Sequence, residues 1–479
     1  MENKTKKLHI IQVIFFLLIL CAGSGALICG ACEGRTSSEL EKRELAEFPA
    51  VNANDIFSGR FESDFSEALS DHIVGRDLFV TAKTWAQIAL GKKEINGIYI
   101  DEDRLIDTYL SSDFYDGQIK INIKALTDFM ATCAGEIGPE HVKAVLVPSK
   151  CSLYRDDLPE YMPVSKRADT IAGEIRDELA VKLASIPVQA VTEQEDEKDE
   201  KTEEDDGITS DDEDSDESVF EDEDSDESIF DDEDSDENIF DDEGLDESTN
   251  DEDTDEDISD DKNTEKKSVY IDPKKADKMV IDLRSVLEEH KSEYIYYLTD
   301  HHWTTRGAAY AYQTLFPAAG NIVDGKTETV AESFLGTDYN KIHYYKNKDK
   351  IMRYVIPEAD TAKTTINDSG DRSQHDSIYE NKALSTSDKY NYFLSGNYSA
   401  IEVDTKAKND KTLVIIKDSY TNSLIPFLCR EYKKIIMIDL RYVNSSVYDY
   451  IPEGVKPDDI LIVYNEEKFM QDTHQMYLK

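Results

Sequence analysis

Leu413-Val414-Ile415-Ile416 runs directly into Lys417-Asp418-Ser419-Tyr420, and this junction sets the expected fold. Four consecutive apolar, mostly β-branched residues read as a strand buried on both faces. Beyond it the pattern predicts a helix over 423–432, a strand at 435–438, a helix near 443–450 and a strand at 460–464. Strand and helix in alternation make a parallel sheet covered by helices, an α/β fold. Reactive groups in such sheets gather beyond the carboxyl ends of strands. Ser419 stands at one such end.

Working upstream, Tyr294-Ile295-Tyr296-Tyr297-Leu298 is predicted as a buried strand that ends in Thr299-Asp300-His301-His302-Trp303. Ala308, Ala309, Tyr312, Leu315 and Phe316 then follow at helical spacing. If the strand continues, Asp300 and His302 share a face and His301 points the other way. A serine hydroxyl becomes a nucleophile when a histidine takes its proton and a carboxylate fixes the imidazole tautomer. The candidate set is therefore Ser419 as nucleophile, His302 as general base and Asp300 as its orienter, with His301 and Trp303 as wall or packing residues. Backbone N–H groups at the helix start after Ser419, and the Asn397 side chain beside Gly396, are candidate oxyanion donors. Arg441 and Tyr442, after another strand, are candidates for an acceptor groove or for a structural role. A metal site on Asp300, His301 and His302 is the rival reading. Neighbouring histidines on a strand face apart, so no metal is expected. Asp-Ser is also a good helix cap, so the pattern alone leaves a non-catalytic fold open.

The same reading makes 142–147 a central strand closed by Pro148, with Ser149-Lys150 too close in sequence to act as nucleophile and base. Asn96-Gly97 predicts a tight turn between strands at 94–95 and 98–100. Helices are expected over 121–133 and 279–289, and a strand at 400–403. Phe57, Phe61, Phe65, Ala68 and Leu69 fall at near-helical spacing, and His72 beside that helix reads as a capping or packing residue. Of six cysteines, Cys21, Cys29 and Cys32 lie in or beside the N-terminal apolar segment. Cys133, Cys151 and Cys429 are scattered, and both a Cys133–Cys151 disulfide and buried free thiols are open.

The formal net charge is −50, but residues 193–262 hold 41 acidic residues and three lysines, leaving −12 for the rest. With no basic patch outside the short N-terminus, nucleic-acid binding is excluded. Residues 211–220, 221–230 and 231–240 repeat one acidic ten-residue unit ending in Phe, too poor in apolar groups to offset ordering entropy. This predicts a disordered acidic insertion over 193–265. Its aspartates offer oxygen ligands for weak Ca²⁺ binding, but the glycine and loop spacing of an EF-hand are missing. Lys4, Lys6 and Lys7 precede a mostly apolar run over 8–28, long enough to span a bilayer. A cleaved signal peptide is the alternative; either way the body is expected outside the membrane. The expected divisions are 1–30 as signal anchor, 31–192 and 266–479 as two parts of one domain, and 193–265 as its insertion.

Asp300-His301-His302-Trp303 resembles the signature of the DHHW family of exported bacterial proteins, which are similar to the SGNH-hydrolase-like domain of alginate O-acetyltransferases. Arg43-Glu44-Leu45-Ala46-Glu47-Phe48-Pro49, Asn96-Gly97-Ile98-Tyr99, Val147-Pro148-Ser149-Lys150, Phe334-Leu335-Gly336-Thr337, Ser395-Gly396-Asn397 and Asp439-Leu440-Arg441-Tyr442 carry the resemblance further. It implies an SGNH-like three-layer sandwich. It also implies acetyl transfer or removal on a polysaccharide or cell-wall glycan through an acyl-serine, with Asp300, His302 and Ser419 in the three roles and no cofactor. Lys417 departs from the glycine that usually precedes Asp-Ser in SGNH hydrolases. The alternative is a non-catalytic surface protein, membrane-anchored, that binds glycan or cations.

Overall fold

The computed structural model describes residues 10–18, 21–25, 36–38, 43–187, 269–368 and 370–479. By its contacts the chain divides into a unit of Met1–Gln189 with Ser268–Lys479 and a second of Ala190–Lys267. The acidic repeats, and the disorder expected of them, lie outside the described residues. So do Cys29, Cys32 and parts of the apolar N-terminal run. Residues 10–18 and 21–25 are helical, and no helix among the described residues is long and apolar enough to cross a membrane.

An eight-stranded sheet organises the first unit. Its order is Asp371–His375, Lys363–Asp368, Ala400–Asp404, Lys434–Ile438, Thr412–Lys417, Asp459–Asn465, Val142–Val147 and Val280–Asp282. The last five strands pair in parallel and the first three add antiparallel. Thr412–Lys417 sits between Lys434–Ile438 and Asp459–Asn465, as the β-α-β-α-β pattern requires. Side chains alternate across the sheet as a period of two demands. Val145, Val147, Leu413, Ile415, Leu461 and Val463 enter one core. Ala144, Leu146, Val414, Ile416, Ile460 and Ile462 enter the other. The second core is closed by the helices Asp116–Ile137 and Ala168–Leu183, the latter burying Ala168, Ile171, Ala172, Ile175, Leu179 and Leu183 at i, i+3, i+4 spacing. The helix Thr305–Leu315 packs Ala308, Tyr312 and Leu315 into the first.

The smaller expectations divide. Asn96 and Gly97 both take positive φ, 52° and 74°, in a hairpin between Glu94–Ile95 and Ile98–Ile100. His72 caps its helix, with Nδ1 2.8 Å from the Ala68 carbonyl and its ring against Phe48. Cys133, Cys151 and Cys429 are buried free thiols; burial pushes Cys133 and Cys151 up to about 12. The helix expected over 279–289 is split, because Val280–Asp282 joins the sheet edge beside Val142–Val147 and only Arg284–Glu289 continues as helix. The helices after Ser419 and after Ile438 are reduced to 3₁₀ turns and the short helix Ile425–Leu428.

Candidate active site

Ser419 lies just past the carboxyl end of Thr412–Lys417 and opens the 3₁₀ turn Ser419–Ser423. Buried Asp418 shapes that turn. Its carboxylate accepts from the Tyr420 N–H at 2.9 Å and from the Asn465 N–H of the neighbouring strand at 2.7 Å. The turn is thus pinned to the sheet from two sides.

The 294–303 segment differs from its expectation. Tyr294–Leu298 is not a strand. Tyr296 and Tyr297 are buried, and Tyr294 partly so, in a loop whose only ladder element is an isolated bridge between Tyr296 and Trp303. The Tyr297 N–H donates to the His302 carbonyl at 3.1 Å, and the Thr304 N–H to the Ile295 carbonyl at 2.9 Å. Asp349 gathers the tip, accepting from the N–H groups of Leu298 and Thr299 at 2.6 and 2.8 Å and from the Thr299 hydroxyl at 2.5 Å. The Trp303 indole N–H then donates to the Tyr420 carbonyl at 2.9 Å and the Ser423 hydroxyl at 3.0 Å. Trp303 is therefore the tie between the two loops.

That tie brings the three sequence-predicted residues into one chain of hydrogen bonds. His302 Nδ1 is 2.6 Å from Asp300 Oδ1, and His302 Nε2 is 2.7 Å from Ser419 Oγ. A carboxylate only accepts, so Nδ1 carries the proton and Nε2 offers its lone pair to the serine. The other Asp300 oxygen accepts from the Thr337 N–H at 2.8 Å and its hydroxyl at 3.1 Å. A Cβ on Gly336 would lie 2.1 Å from Asp300 Cβ, so no larger residue fits while the carboxylate keeps its place. The Tyr390 ring stacks on His302, centroids 3.9 Å apart and 11° from parallel, and its hydroxyl donates to the Ser419 carbonyl at 3.0 Å. The sequence reading missed Thr337, Gly336 and Tyr390; the Phe334-Leu335-Gly336-Thr337 motif was visible, but nothing in it told which carboxylate it served.

His301 does not point away. Its ring lies 3.8 Å from that of His302, and Nδ1 is 2.6 Å from the Thr337 hydroxyl. Burial, then the neighbouring His302, pushes its pKa well below the ordinary histidine value, which keeps it neutral. Ligand atoms of Asp300, His301 and His302 lie within 4.8 Å of one another, the spacing of a cation site. Both His302 nitrogens and His301 Nδ1 are already engaged, so a single histidine nitrogen is left over. That is a poor donor set for a transition metal.

The backbone part of the oxyanion expectation narrows to the Ser419 N–H, which has no hydrogen-bond partner among the described residues. The Tyr420 N–H is taken by Asp418, and the Thr421 N–H by the Asp418 carbonyl at 3.3 Å. Asn397 follows Leu394, Ser395 and Gly396, all three at positive φ (63°, 62° and 129°), a conformation that costs about 1–3 kcal/mol per non-glycine residue and gathers at functional sites. Asn397 Oδ1 accepts from the buried Lys417 ammonium at 2.7 Å and from Asn422 Nδ2 at 3.2 Å. Lys417 also reaches Asn422 Oδ1 at 2.8 Å and Asp439 at 3.5 Å. With its oxygen so held, the Asn397 amide turns its Nδ2 donor away from Lys417. Burial lowers Lys417 to about 8 against the pull of Asp439. Arg441 spends its charge on Asp439 through bonds of 2.8 and 2.6 Å, and the Tyr442 ring is exposed. Ser149 and Lys150 serve other partners, Glu467 at 2.7 Å and Asp338 at 2.5 Å.

The DHHW protein family matches residues 244–438, which hold the Asp300-His301-His302-Trp303 loop and Ser419. Among solved structures, a DHHW family protein from Eubacterium siraeum DSM 15702 is 21% identical, covering 80% of this chain and 95% of its own, with a TM-score of 0.48. Bacillus cereus PatB1, in a structure with a sulfonyl adduct, is 16% identical over 78% of this chain and 97% of its own, with a TM-score of 0.47. The O-acetyltransferase domain of Pseudomonas putida AlgJ is 10% identical over 78% of this chain and 93% of its own, with a TM-score of 0.37. No curated protein matches the chain.

Proposed function

We propose that this DHHW-family chain is a serine-dependent O-acetyltransferase or acetylesterase of SGNH-like, three-layer architecture that works on a polysaccharide or cell-wall glycan outside the membrane. The observation that carries the reading is the unbroken series Asp300–His302–Ser419, with contacts of 2.6 and 2.7 Å. In this reading Ser419 Oγ attacks the acetyl carbonyl while His302 Nε2 takes its proton. Asp300 holds the imidazole tautomer and steadies the imidazolium. The tetrahedral oxyanion forms near the Ser419 N–H and Asn397 Nδ2, the side-chain donor left facing outward by Lys417. His302 then returns the proton to the leaving group, and an acceptor hydroxyl or water takes the acetyl group from Ser419.

A groove of about 280 Å³ supports a sugar-sized acceptor. It is lined by Leu335, Tyr339, Asn340, Thr386, Ser387 and Lys389, an aromatic and mostly polar set. Its two walls continue directly into Thr337, which bonds Asp300, and Tyr390, which stacks on His302. The apolar 8–28 run would hold the body at the membrane, and the 193–265 segment would be an insertion within one domain. The test is turnover of a chromogenic acetyl ester by the full chain and by Ser419→Ala. Turnover that depends on Ser419 supports the reading, and equal, negligible turnover with no acetyl transfer to any glycan ends it.

A further inference from the structure

The first histidine of the motif, His301, has a protonation pattern fixed by its neighbours. The Thr337 hydroxyl donates its single proton to Asp300 Oδ2 at 3.1 Å, so toward His301 Nδ1, 2.6 Å away, the same oxygen accepts. His301 Nδ1 therefore carries the ring proton and His301 Nε2 is a bare lone pair. That nitrogen has no hydrogen-bond partner among the described residues, and the His301 side chain is about one-fifth exposed, so solvent reaches it. The imidazole stays neutral because burial and the adjacent His302 disfavour a second proton. An unpaired acceptor thus stands beside the base, its ring 3.8 Å from that of His302. The segment that anchors it, through Thr337, forms one wall of the groove lined by Leu335, Tyr339 and Asn340.

We infer that His301 Nε2 is an acceptor-binding group that recognises a second hydroxyl of the incoming alcohol, so that the site selects vicinal diols, as sugars present them, over simple alcohols and water. The inference rests on the acyl-serine reading above. The nucleophilic hydroxyl has one proton, which goes to His302 Nε2. As its oxygen bonds to the acetyl carbon, the bond from that carbon to Ser419 Oγ breaks, and the proton passes from His302 to Ser419. The hydroxyl that His301 holds must therefore be a different one, on the adjacent carbon. In this role His301 orients the diol and takes no proton.

The experiment is deacylation of the acetylated full chain by ethylene glycol and by ethanol, with a chromogenic acetyl ester as donor. The unmodified chain should favour the diol by about tenfold, the worth of one well-made hydrogen bond. His301→Leu should abolish that preference, and His301→Gln, whose amide oxygen still accepts, should restore part of it. An equal preference in the unmodified chain and His301→Leu overturns the inference. Should His301→Leu fail to fold, the ¹⁵N resonance of His301 Nε2 in the unmodified chain decides, since it must move when ethylene glycol is added and not when ethanol is; no difference overturns the inference. Failure of the underlying reading looks different: the donor would then acetylate Ser419→Ala as fast as the unmodified chain.

Discussion

The two loops that meet at the serine hydroxyl are held in opposite ways. The Ser419 turn takes its place from the sheet: a strand delivers it, Asp418 caps it, and the adjacent strand clamps Asp418 through Asn465. The loop over 300–303 has no strand beneath it. Together with Thr299 it is held by Thr337, Asp349 and Tyr420, none of them on a strand of the eight-stranded sheet, and by the nearby Tyr297 N–H. The proposed nucleophile is carried by the central sheet, whereas the proposed base depends on segments outside that sheet converging. Substitutions outside the sheet should therefore disturb His302 far more than Ser419.

The largest expected effect is on the nucleophile itself. Ser419→Ala should lower ester turnover by about 10⁴-fold or more with the circular dichroism spectrum unchanged. Residual turnover near the original rate would show that the sheet-borne serine is idle. Next is Gly336→Ala, which forces Asp300 aside; kcat should fall by about 100-fold, part of the roughly 10⁴ that a misoriented histidine costs. If the rate is untouched while the protein stays folded, the 300–303 loop does not depend on its remote supports. Tyr390→Leu, which removes the ring stacked on His302, should cost about tenfold in kcat. Tyr390→Phe should cost less, since only hydroxyl bonds of about 1 kcal/mol are lost; equal effects would mean that the stacking is irrelevant.

A smaller effect concerns Lys417, packed among Asp439, Arg441 and Asp418. Its folded value of about 8 lies below its ordinary 10.5, so the unfolded chain holds more protons between those limits. Burying the ammonium therefore costs stability below pH 8, and the cost is relieved as pH rises through 8 towards 10.5. Urea denaturation at pH 7 and pH 10 should show the unmodified chain gaining on Lys417→Met over that interval; a constant gap would refute the assignment. The smallest change belongs to Ser149→Ala, which removes a bond to Glu467 and should cost about 1 kcal/mol of stability with turnover unaltered.

Much of this was legible in the sequence because it repeats at short range. The strand Val142–Val147 and the three strands after residue 412 have apolar runs too long and too β-branched for anything but a buried sheet. The Asp300–His302–Ser419 grouping was legible too, though for a partly wrong reason: the residues meet through a tight loop and not along one strand face. Tyr294-Ile295-Tyr296-Tyr297-Leu298 looks like a strand because its middle three residues are buried, and burial here comes from enclosure by other loops. Val280–Asp282 escaped notice because three residues between two helical turns leave no alternation to read. Lys417 read only as a departure from the usual glycine near Ser419, and its three-dimensional partners reveal an amide held in one orientation.

At the base of the acidic segment, Pro187 pairs with Tyr270 and the Ile271 N–H donates to the Ile186 carbonyl at 3.0 Å. The folded unit closes its own circuit there, before the repeats begin and after they end. Doubling the length of a loop costs only about 0.6 kcal/mol. The number of ten-residue units can thus drift by replication slippage with almost no tax on folding. The folded unit around them is bound instead by the close packing of its two cores.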